Sequence, residues 1–234
     1  MIEIKNVSKQ YEGKNVLNNL SLTFEKGKIY GLLGSNGAGK TSLMKIIANR
    51  AFSSQGEVFV NGELAKENEK VQKDIFYVTE KDKYPKDIKI KNLLKWEARF
   101  FENFNIDYAH NLAKKFDLDL NKKTNALSTG YYTIFKVIVS LASGCKIMIL
   151  DEPVLGIDAL YRELFYEVLL DYHKKHQNLI IITTHLIDEV EPVLEDLIII
   201  DKGEILIEGK KEELVKEGSL NQFYLKLLKE KHHG

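Results

Sequence analysis

The segment Gly34-Ser35-Asn36-Gly37-Ala38-Gly39-Lys40-Thr41 decides the fold, because it fits the pattern G-x-x-x-x-G-K-[ST] at every position. Glycines let the backbone N–H groups of such a loop close around phosphate oxygens, in conformations that a Cβ atom would hinder. The apolar run at residues 29–33 indicates a buried strand before the loop, and residues 42–49 are typical of a helix after it. Because a helix N-terminus attracts anions, the segment predicts a phosphate-binding site between that strand and that helix.

Two side chains of this loop carry the predicted chemistry. We expect Lys40 to contact the β- and γ-phosphates of a nucleoside triphosphate, and the hydroxyl of Thr41 to bind Mg²⁺. The alternative is a chance match without a ligand, and the flanking strand and helix argue against it. The candidate nucleotide-binding residues are the loop and the residue after it, namely Gly34, Ser35, Asn36, Gly37, Ala38, Gly39, Lys40, Thr41 and Ser42.

A second apolar run, residues 147–150, ends in the carboxylates of Asp151 and Glu152. Ligands of open α/β sheets lie at the carboxyl ends of the strands. Because neighbouring side chains of a strand point to opposite faces, we expect Asp151 to hold the metal through water and Glu152 to face the γ-phosphate and its attacking water. The alternative is a polar exit from a strand into a loop, which is weaker beside a phosphate-binding loop.

Further short runs predict the rest of an α/β fold. Residues 2–4 and 20–24 indicate a β-subdomain at the N-terminus. Residues 179–183 lack alternation, which is typical of a parallel strand covered on both faces. Residues 197–200 and 204–207 flank a turn and are typical of a hairpin.

Helical spacing replaces these runs between about residues 85 and 141. This change predicts an inserted helical subdomain within a single domain of residues 1–234. Residues 220–229 predict one more amphipathic helix. A stripe in the insert recurs at near-helical spacing, and we expect it to lie in the core rather than against a cofactor. The stripe consists of Leu93, Trp96, Phe100 and Phe104.

Composition excludes several classes of protein. Lys and Arg number 34 and so do Asp and Glu, so the net charge is 34 − 34 = 0, which argues against nucleic acid as a partner. With 44% hydrophobic residues in 234, the chain can form a sizeable core and is not disordered. The single cysteine, Cys145, has no partner for a disulfide and suits a reducing cytoplasm. No apolar run approaches the roughly 18 residues that span a bilayer, so we expect membrane association to require a separate partner.

The order of the motifs from Tyr11 to about Lys210 resembles the ATP-binding subunit of an ABC transporter. The resemblance implies a P-loop NTPase (RecA-like) core with the N-terminal β-subdomain and the helical insert. It also implies that Tyr11 stacks on adenine, for which an edge-strand aromatic is the alternative. It identifies Asp158 with the aspartate loop that contacts the opposite subunit, and His185 with the histidine that contacts the γ-phosphate. The catalytic residues that it implies are Lys40, Glu152 and His185.

The sequence departs from the family in two places. The usual signature L-S-G-G-Q reads Leu127-Ser128-Thr129-Gly130-Tyr131. Ser128 and Gly130, which the family uses to contact the partner's nucleotide, are kept, and Ser128 is a good N-cap. The tighter φ/ψ limits of Thr129 and the bulk of Tyr131 predict a weaker contact. Glu80 stands where the family has a glutamine near Mg²⁺, and we expect it to attract the metal more strongly, with an exposed loop acid as the alternative.

The resemblance implies ATP and Mg²⁺ as ligands and a dimer, homomeric or heteromeric, that closes on two ATP molecules. Its further partners would be polytopic membrane subunits at the cytoplasmic face of the cell membrane. The changed signature and Glu80 are more similar to small exporter cassettes, so export of a peptide or antibiotic is the expectation. Two alternatives remain: a soluble ABC-type ATPase of translation or DNA repair, and a regulatory nucleotide-binding module with little turnover.

Overall fold

The computed structural model of the protein describes residues 1–79 and 83–233. Contacts divide the chain into two compact units, residues 1–68 with residue 179 onward, and residues 69–178. The strands of the described part, β1 to β10, are Ile2–Tyr11, Lys14–Phe24, Ile29–Leu33, Gln55–Val60, Glu63–Leu64, Ile75–Val78, Ile147–Asp151, Leu179–Thr183, Asp196–Asp201 and Glu204–Lys210. Its α-helices, α1 to α9, are Lys40–Ile47, Glu69–Gln72, Ile90–Phe100, Ile106–Lys115, Thr129–Ala142, Ala159–His176, Ile187–Val190, Lys211–Leu214 and Leu220–His233.

An antiparallel sheet of order β2-β1-β4-β5 forms the N-terminal part of the first unit. Ile2 lies opposite Phe24 on one side and Val60 on the other, and all three side chains are buried. A two-residue turn joins β1 to β2, in which Glu12 and Gly13 both have positive φ, at 48° and 80°. The predicted β-subdomain is therefore present.

The second sheet of the first unit is centred on β3. It pairs in parallel with β8 and with β9, and β10 returns antiparallel to β9 as the predicted hairpin. Every residue of β3, β8 and β9 is buried, which explains their unbroken apolar runs. Because β3 and β8 are parallel, the loop after β3 and the residues after β8 emerge at the same edge of the sheet.

The second unit contains the predicted helices together with two parallel strands, β6 and β7. Helices α3, α4 and α5 occupy the part of the chain that helical spacing predicts. In α5 every residue from Thr133 to Ala142 is buried, which makes it the central helix of this group. The expectation of a single nucleotide-binding domain with an insert at about 85–141 stays a prediction.

The predicted apolar stripe lies only partly in the core, and Phe104, which follows α3, is half-buried. Leu93 is buried, but Trp96 is 41% exposed and Phe100 is 78% exposed. The buried face of α3 is formed by Ile90, Leu93 and Leu94. Because each residue turns a helix by about 100°, Trp96 lies off this face, and Phe100 is the last residue of the helix. The prediction of a core position is therefore wrong for these two side chains.

Among the described residues, no helix is both long enough and apolar enough to span a bilayer.

Cys145 should react slowly with thiol reagents while the protein is folded. It is 3% exposed, and burial raises the pKa of its thiol to about 11 from an ordinary value of 9.0. The reactive form is the thiolate, so near pH 8 we expect alkylation about a hundredfold slower than in the unfolded chain. Following iodoacetamide labelling by mass, with and without guanidinium chloride, measures the ratio. Equal rates in the two conditions would contradict the buried position.

Candidate nucleotide site

The loop between β3 and α1 has the shape of an anion-binding cradle. A Cβ at Gly34 would collide with the carbonyl oxygen of Ile200. Gly39 has a φ of 110°, and a Cβ there would lie 2.6 Å from Leu17 Cδ2 and 2.8 Å from the Val16 carbonyl oxygen. These positions therefore accept only glycine, and the loop backbone can approach a phosphate as the sequence predicts.

Lys40 is the first residue of α1 and lies inside this cradle. Its side chain is buried, and Nζ donates to the carbonyl oxygens of Gly34 at 2.7 Å and Ser35 at 3.1 Å. Gly39 is the N-cap of α1 and has no side chain that could cap the helix. A phosphate bound at this helix N-terminus would also lie at the Lys40 ammonium, and both groups would attract its negative charge. The residues of this loop fit a nucleoside triphosphate. Thr41 is exposed at the same helix end, and Ser42 is half-buried.

The hairpin of β9 and β10 supports the phosphate-binding loop through hydrogen bonds. Ser35 Oγ donates to Asp201 Oδ1 at 3.2 Å, and the Gly203 N–H donates to the Ala38 carbonyl at 2.9 Å. Asp201 is 2% exposed. Sequence reasoning found this hairpin but not its role, because nothing local to residues 201–203 indicates contact with a loop more than 160 residues away.

His185 lies just beyond β8, at the sheet edge from which the phosphate-binding loop emerges. Its side chain is exposed, and the preceding Thr184 is buried with its Oγ1 accepting from the Leu186 N–H at 3.0 Å. The hydrogen bond closes a turn from Thr184 to Leu186, and the chain leaves the direction of β8 in this turn. The first unit thus brings Lys40 and His185 to the same edge.

Tyr11 ends β1 and is 42% exposed, with the Lys9 ammonium 4.8 Å from the centre of its ring. A ring in this position is accessible to a flat ligand. Its role in stacking on adenine stays a prediction.

The acidic strand end lies in the second unit. Asp151 is the last residue of β7 and is buried, and the Tyr77 hydroxyl donates to its Oδ2 at 3.2 Å. Tyr77 was missed because β6, the short strand that carries it, has no clear pattern in the sequence.

Glu152 departs from the predicted strand geometry. β7 ends one residue earlier, and Glu152 has a φ of 53°, in the left-handed region that costs a residue with a side chain roughly 1–2 kcal/mol. The prediction that strand alternation separates the two carboxylates is therefore wrong, because the turn, and not the pleat, sets the direction of Glu152. Residues held in such a conformation cluster at functional sites.

The signature segment begins α5 as the sequence predicts. Ser128 is the N-cap, and its Oγ accepts from the Tyr131 N–H at 3.3 Å. Thr129 is the first residue of the right-handed helix and does not have the positive φ that favours glycine. The weaker contact with the partner's nucleotide stays a prediction. Gly130 lies in the first turn of α5 and has no room for a side chain, because a Cβ there would lie 2.5 Å from the Gly156 carbonyl oxygen.

Asp158 is the N-cap of α6, where its Oδ1 accepts from the Tyr161 N–H at 3.1 Å. It is exposed, as are Ser128 and Thr129. The loop from Glu152 to Asp158 therefore ends in the same way as the signature segment, with a capping side chain at the surface.

The predicted metal ligands are only partly placed. Thr41 lies in the first unit and Asp151 in the second, and Glu80 lies outside the described residues. Within residues 1–79 and 83–233, no three His, Cys, Asp or Glu side chains form a group that could hold a metal ion. Binding of Mg²⁺ stays a prediction.

Comparison with known proteins gives a consistent answer. A family model described as ABC transporter matches residues 17–155. The ATP-binding protein YtrB of Bacillus subtilis strain 168 is 33% identical over 191 residues, which are 82% of this chain and 65% of YtrB. The cytochrome c biogenesis export protein CcmA of Reclinomonas americana is 31% identical, over 79% of this chain and 84% of CcmA. The tungstate uptake protein TupC of Peptoclostridium acidaminophilum is 30% identical, over 87% of this chain and 96% of TupC.

Solved structures show the same fold. The ATP-binding subunit of an ABC transporter superposes with a TM-score of 0.88 at 22% identity, over 97% of this chain and 99% of that one. A dimeric ATP-binding cassette in a post-hydrolysis state, bound to ADP and Pi, superposes with a TM-score of 0.81 at 21% identity, over 90% of this chain and 98% of that one. The predicted P-loop NTPase fold is confirmed.

Proposed function

The chain belongs to the ABC transporter family as one of its ATP-binding ATPase cassettes, and from this premise we propose that it drives transport through a separate membrane subunit by closing as a dimer on ATP. The observation that supports this most directly is the cradle in which the Lys40 ammonium lies between loop carbonyls at a helix N-terminus. Soluble ATPases of translation or DNA repair are not favoured, because the named relatives serve transport and the chain has no net charge.

In this proposal the loop N–H groups and Lys40 neutralise the charge of the triphosphate. His185 contacts the γ-phosphate, and Glu152 orients the attacking water and takes its proton as the bond from the γ-phosphorus to the bridging oxygen breaks. Thr41 and Asp151 would hold Mg²⁺, with Glu80 as a further ligand, and the metal would add charge neutralisation. The left-handed backbone at Glu152 supports its role, since residues held in such conformations cluster at functional sites.

We assign the second half of the nucleotide site to a partner cassette, identical or different. Ser128 and Gly130 of one copy would contact the ATP held by the other, and Asp158 would contact the opposite site. Two observations support this. Ser128 and Asp158 cap their helices at the surface, and the N-terminus of α5, whose cap is a neutral hydroxyl, suits phosphate. A solved relative of the same fold is itself dimeric with ADP and Pi.

The surface proposed for the membrane subunit is the exposed side of α3. Trp96 and Phe100 are the large apolar side chains that this helix leaves in contact with solvent. Exposed aromatic side chains of this size mark protein interfaces. Docking here would hold the cassette at the cytoplasmic face of the membrane.

The proposed direction is export, with a peptide or antibiotic as cargo. Its support is the changed signature, which is more similar to small exporter cassettes. The named relatives include both export and uptake proteins. Measuring transport in vesicles of each orientation tests the direction.

Substituting Phe100→Asp is expected to reduce recovery of a polytopic membrane protein with the tagged cassette at least tenfold, because a charge would have to be buried in the interface. The matched control is Leu225→Asp, which changes a 49% exposed side chain of α9 in the first unit. Quantitative mass spectrometry of detergent-solubilised membranes gives the ratio. If both variants recover the membrane protein like the wild type, α3 is not the docking surface, and recovery of ribosomes instead would favour the soluble alternative.

A further inference from the structure

We propose that Tyr131, Tyr161 and Asp117, called here the tyrosine clamp, hold the signature turn and the aspartate loop as one body, so that both engage the partner's nucleotide together. The inference rests on the proposed function, since it concerns the two loops that would face a partner cassette. The three residues are positioning residues and are not expected to touch ATP. All of them lie in the second unit.

The two loops end in the same local geometry. Ser128 caps α5 by accepting from the N–H of Tyr131, three residues later. Asp158 caps α6 by accepting from the N–H of Tyr161, also three residues later. The backbone N–H of each tyrosine is hydrogen-bonded to the capping side chain of its own loop, so each tyrosine side chain is positioned by that cap.

The two tyrosines meet through their hydroxyl groups. Their oxygens are 3.4 Å apart and their ring centres 5.9 Å apart. The Tyr161 hydroxyl also lies 3.0 Å from Asp117 Oδ2. An ionised carboxylate only accepts hydrogen bonds, so Tyr161 donates to Asp117 and its own oxygen accepts from Tyr131. The chain of hydrogen bonds thus has one direction, from α5 through α6 to Asp117 in the turn after α4.

Tyr161 keeps its proton at neutral pH, because a tyrosine hydroxyl ordinarily has a pKa of about 10. It therefore remains the donor to Asp117. The Phe116 ring lies 6.1 Å from that of Tyr161 and supports it from the side of α4.

Two further contacts connect the same two loops. A Cβ on Gly130 would lie 2.5 Å from the Gly156 carbonyl oxygen, so the two segments are in direct contact. Thr133 Oγ1 lies 3.0 Å from the Thr129 carbonyl oxygen of its own helix and 3.2 Å from the Leu155 carbonyl oxygen, so its one proton is shared between the two acceptors. A shift of the signature turn would therefore have to move the aspartate loop with it. The hydroxyl contact of Tyr131 with Tyr161 adds a further link between the two loops.

The test is ATP-dependent dimerisation of the full-length chain carrying Glu152→Gln, with and without Tyr161→Phe. The phenylalanine keeps the ring contacts and removes both hydroxyl hydrogen bonds. We expect the ATP-bound dimer to dissociate about threefold to tenfold more readily, in line with the usual worth of one or two exposed hydrogen bonds. Analytical ultracentrifugation measures the constant. Binding of a fluorescent ADP to the monomer, which is expected to involve the phosphate-binding loop and Tyr11 but neither of the two capped loops, should stay within about twofold.

Two further variants separate positioning from general stability. Tyr131→Phe should weaken the dimer, and the double variant with Tyr161→Phe should be no weaker than Tyr161→Phe alone, because both remove the same hydrogen bond. Tyr108→Phe, a tyrosine of the same unit that stacks on Tyr172, is the control and should leave the dimer unchanged.

The outcomes distinguish failure of the tyrosine clamp from failure of the proposed closure of the dimer on ATP. A dimer of unchanged affinity in Tyr161→Phe, or equal weakening by Tyr108→Phe, would overturn the clamp and leave the proposed function intact. If Glu152→Gln forms no dimer with ATP at all, the closure proposal fails and the clamp's role fails with it.

Discussion

Glu152→Gln is expected to stop ATP hydrolysis and to accumulate an ATP-bound dimer. Glutamine keeps the size and shape of the side chain but cannot take a proton from the attacking water. Loss of a general base lowers turnover on the order of a thousandfold. Release of phosphate at saturating ATP measures the rate, and size-exclusion chromatography with ATP or with ADP shows the dimer.

The control for this prediction is Glu163→Gln, which changes an exposed carboxylate of α6 outside the proposed site. It should hydrolyse ATP at the wild-type rate. Turnover by Glu152→Gln at the wild-type rate would show that another group is the base. Loss of activity without a trapped dimer would contradict closure of the cassette as an ATP-bound dimer.

Lys40→Met is expected to weaken ATP binding about a thousandfold. Methionine fills the space of the side-chain stem but removes the ammonium that neutralises the phosphates. Removing one partner of a buried, hydrogen-bonded charge pair costs about 2–5 kcal/mol, and a value of about 4 corresponds to this factor. The substitution also removes the hydrogen bonds to the carbonyl oxygens of Gly34 and Ser35, which hold the loop closed.

Isothermal titration with ATP measures this affinity directly. Lys45→Met is the matched control, since it removes a lysine from the last turn of the same helix. It should bind ATP like the wild type. An affinity for Lys40→Met within threefold of the wild type would mean that the cradle is not the phosphate site.

Much of the fold could be predicted because its signals are local. The strands β3, β7 and β8 are continuous apolar runs, and the loop from Gly34 to Thr41 has one well-defined pattern. The strands β4, β5 and β6 were missed, since they are short and their burial alternates or is incomplete. Their identity depends on the strands beside them, which lie far away in sequence.

The exposed side of α3 is another feature that depends on residues far away in sequence. Spacing alone placed Trp96 and Phe100 with Leu93, and all three have apolar side chains. Whether a helix face is buried depends on which elements cover it, and here the cover ends before Phe100. The side chains proposed for docking are therefore visible only in the folded chain.

The sequence by itself determined the phosphate-binding loop, the capping role of Ser128 and the family, because these depend on residues close together in the chain. Only the tertiary structure decided that Asp201 supports the loop, that Tyr77 holds Asp151 and that Glu152 leaves its strand in a left-handed turn. It also decided that Tyr131 meets Tyr161. The physical reason is that hydrogen bonds and close contacts act over a few ångströms, whereas their partners are separated by tens of residues that leave no local pattern.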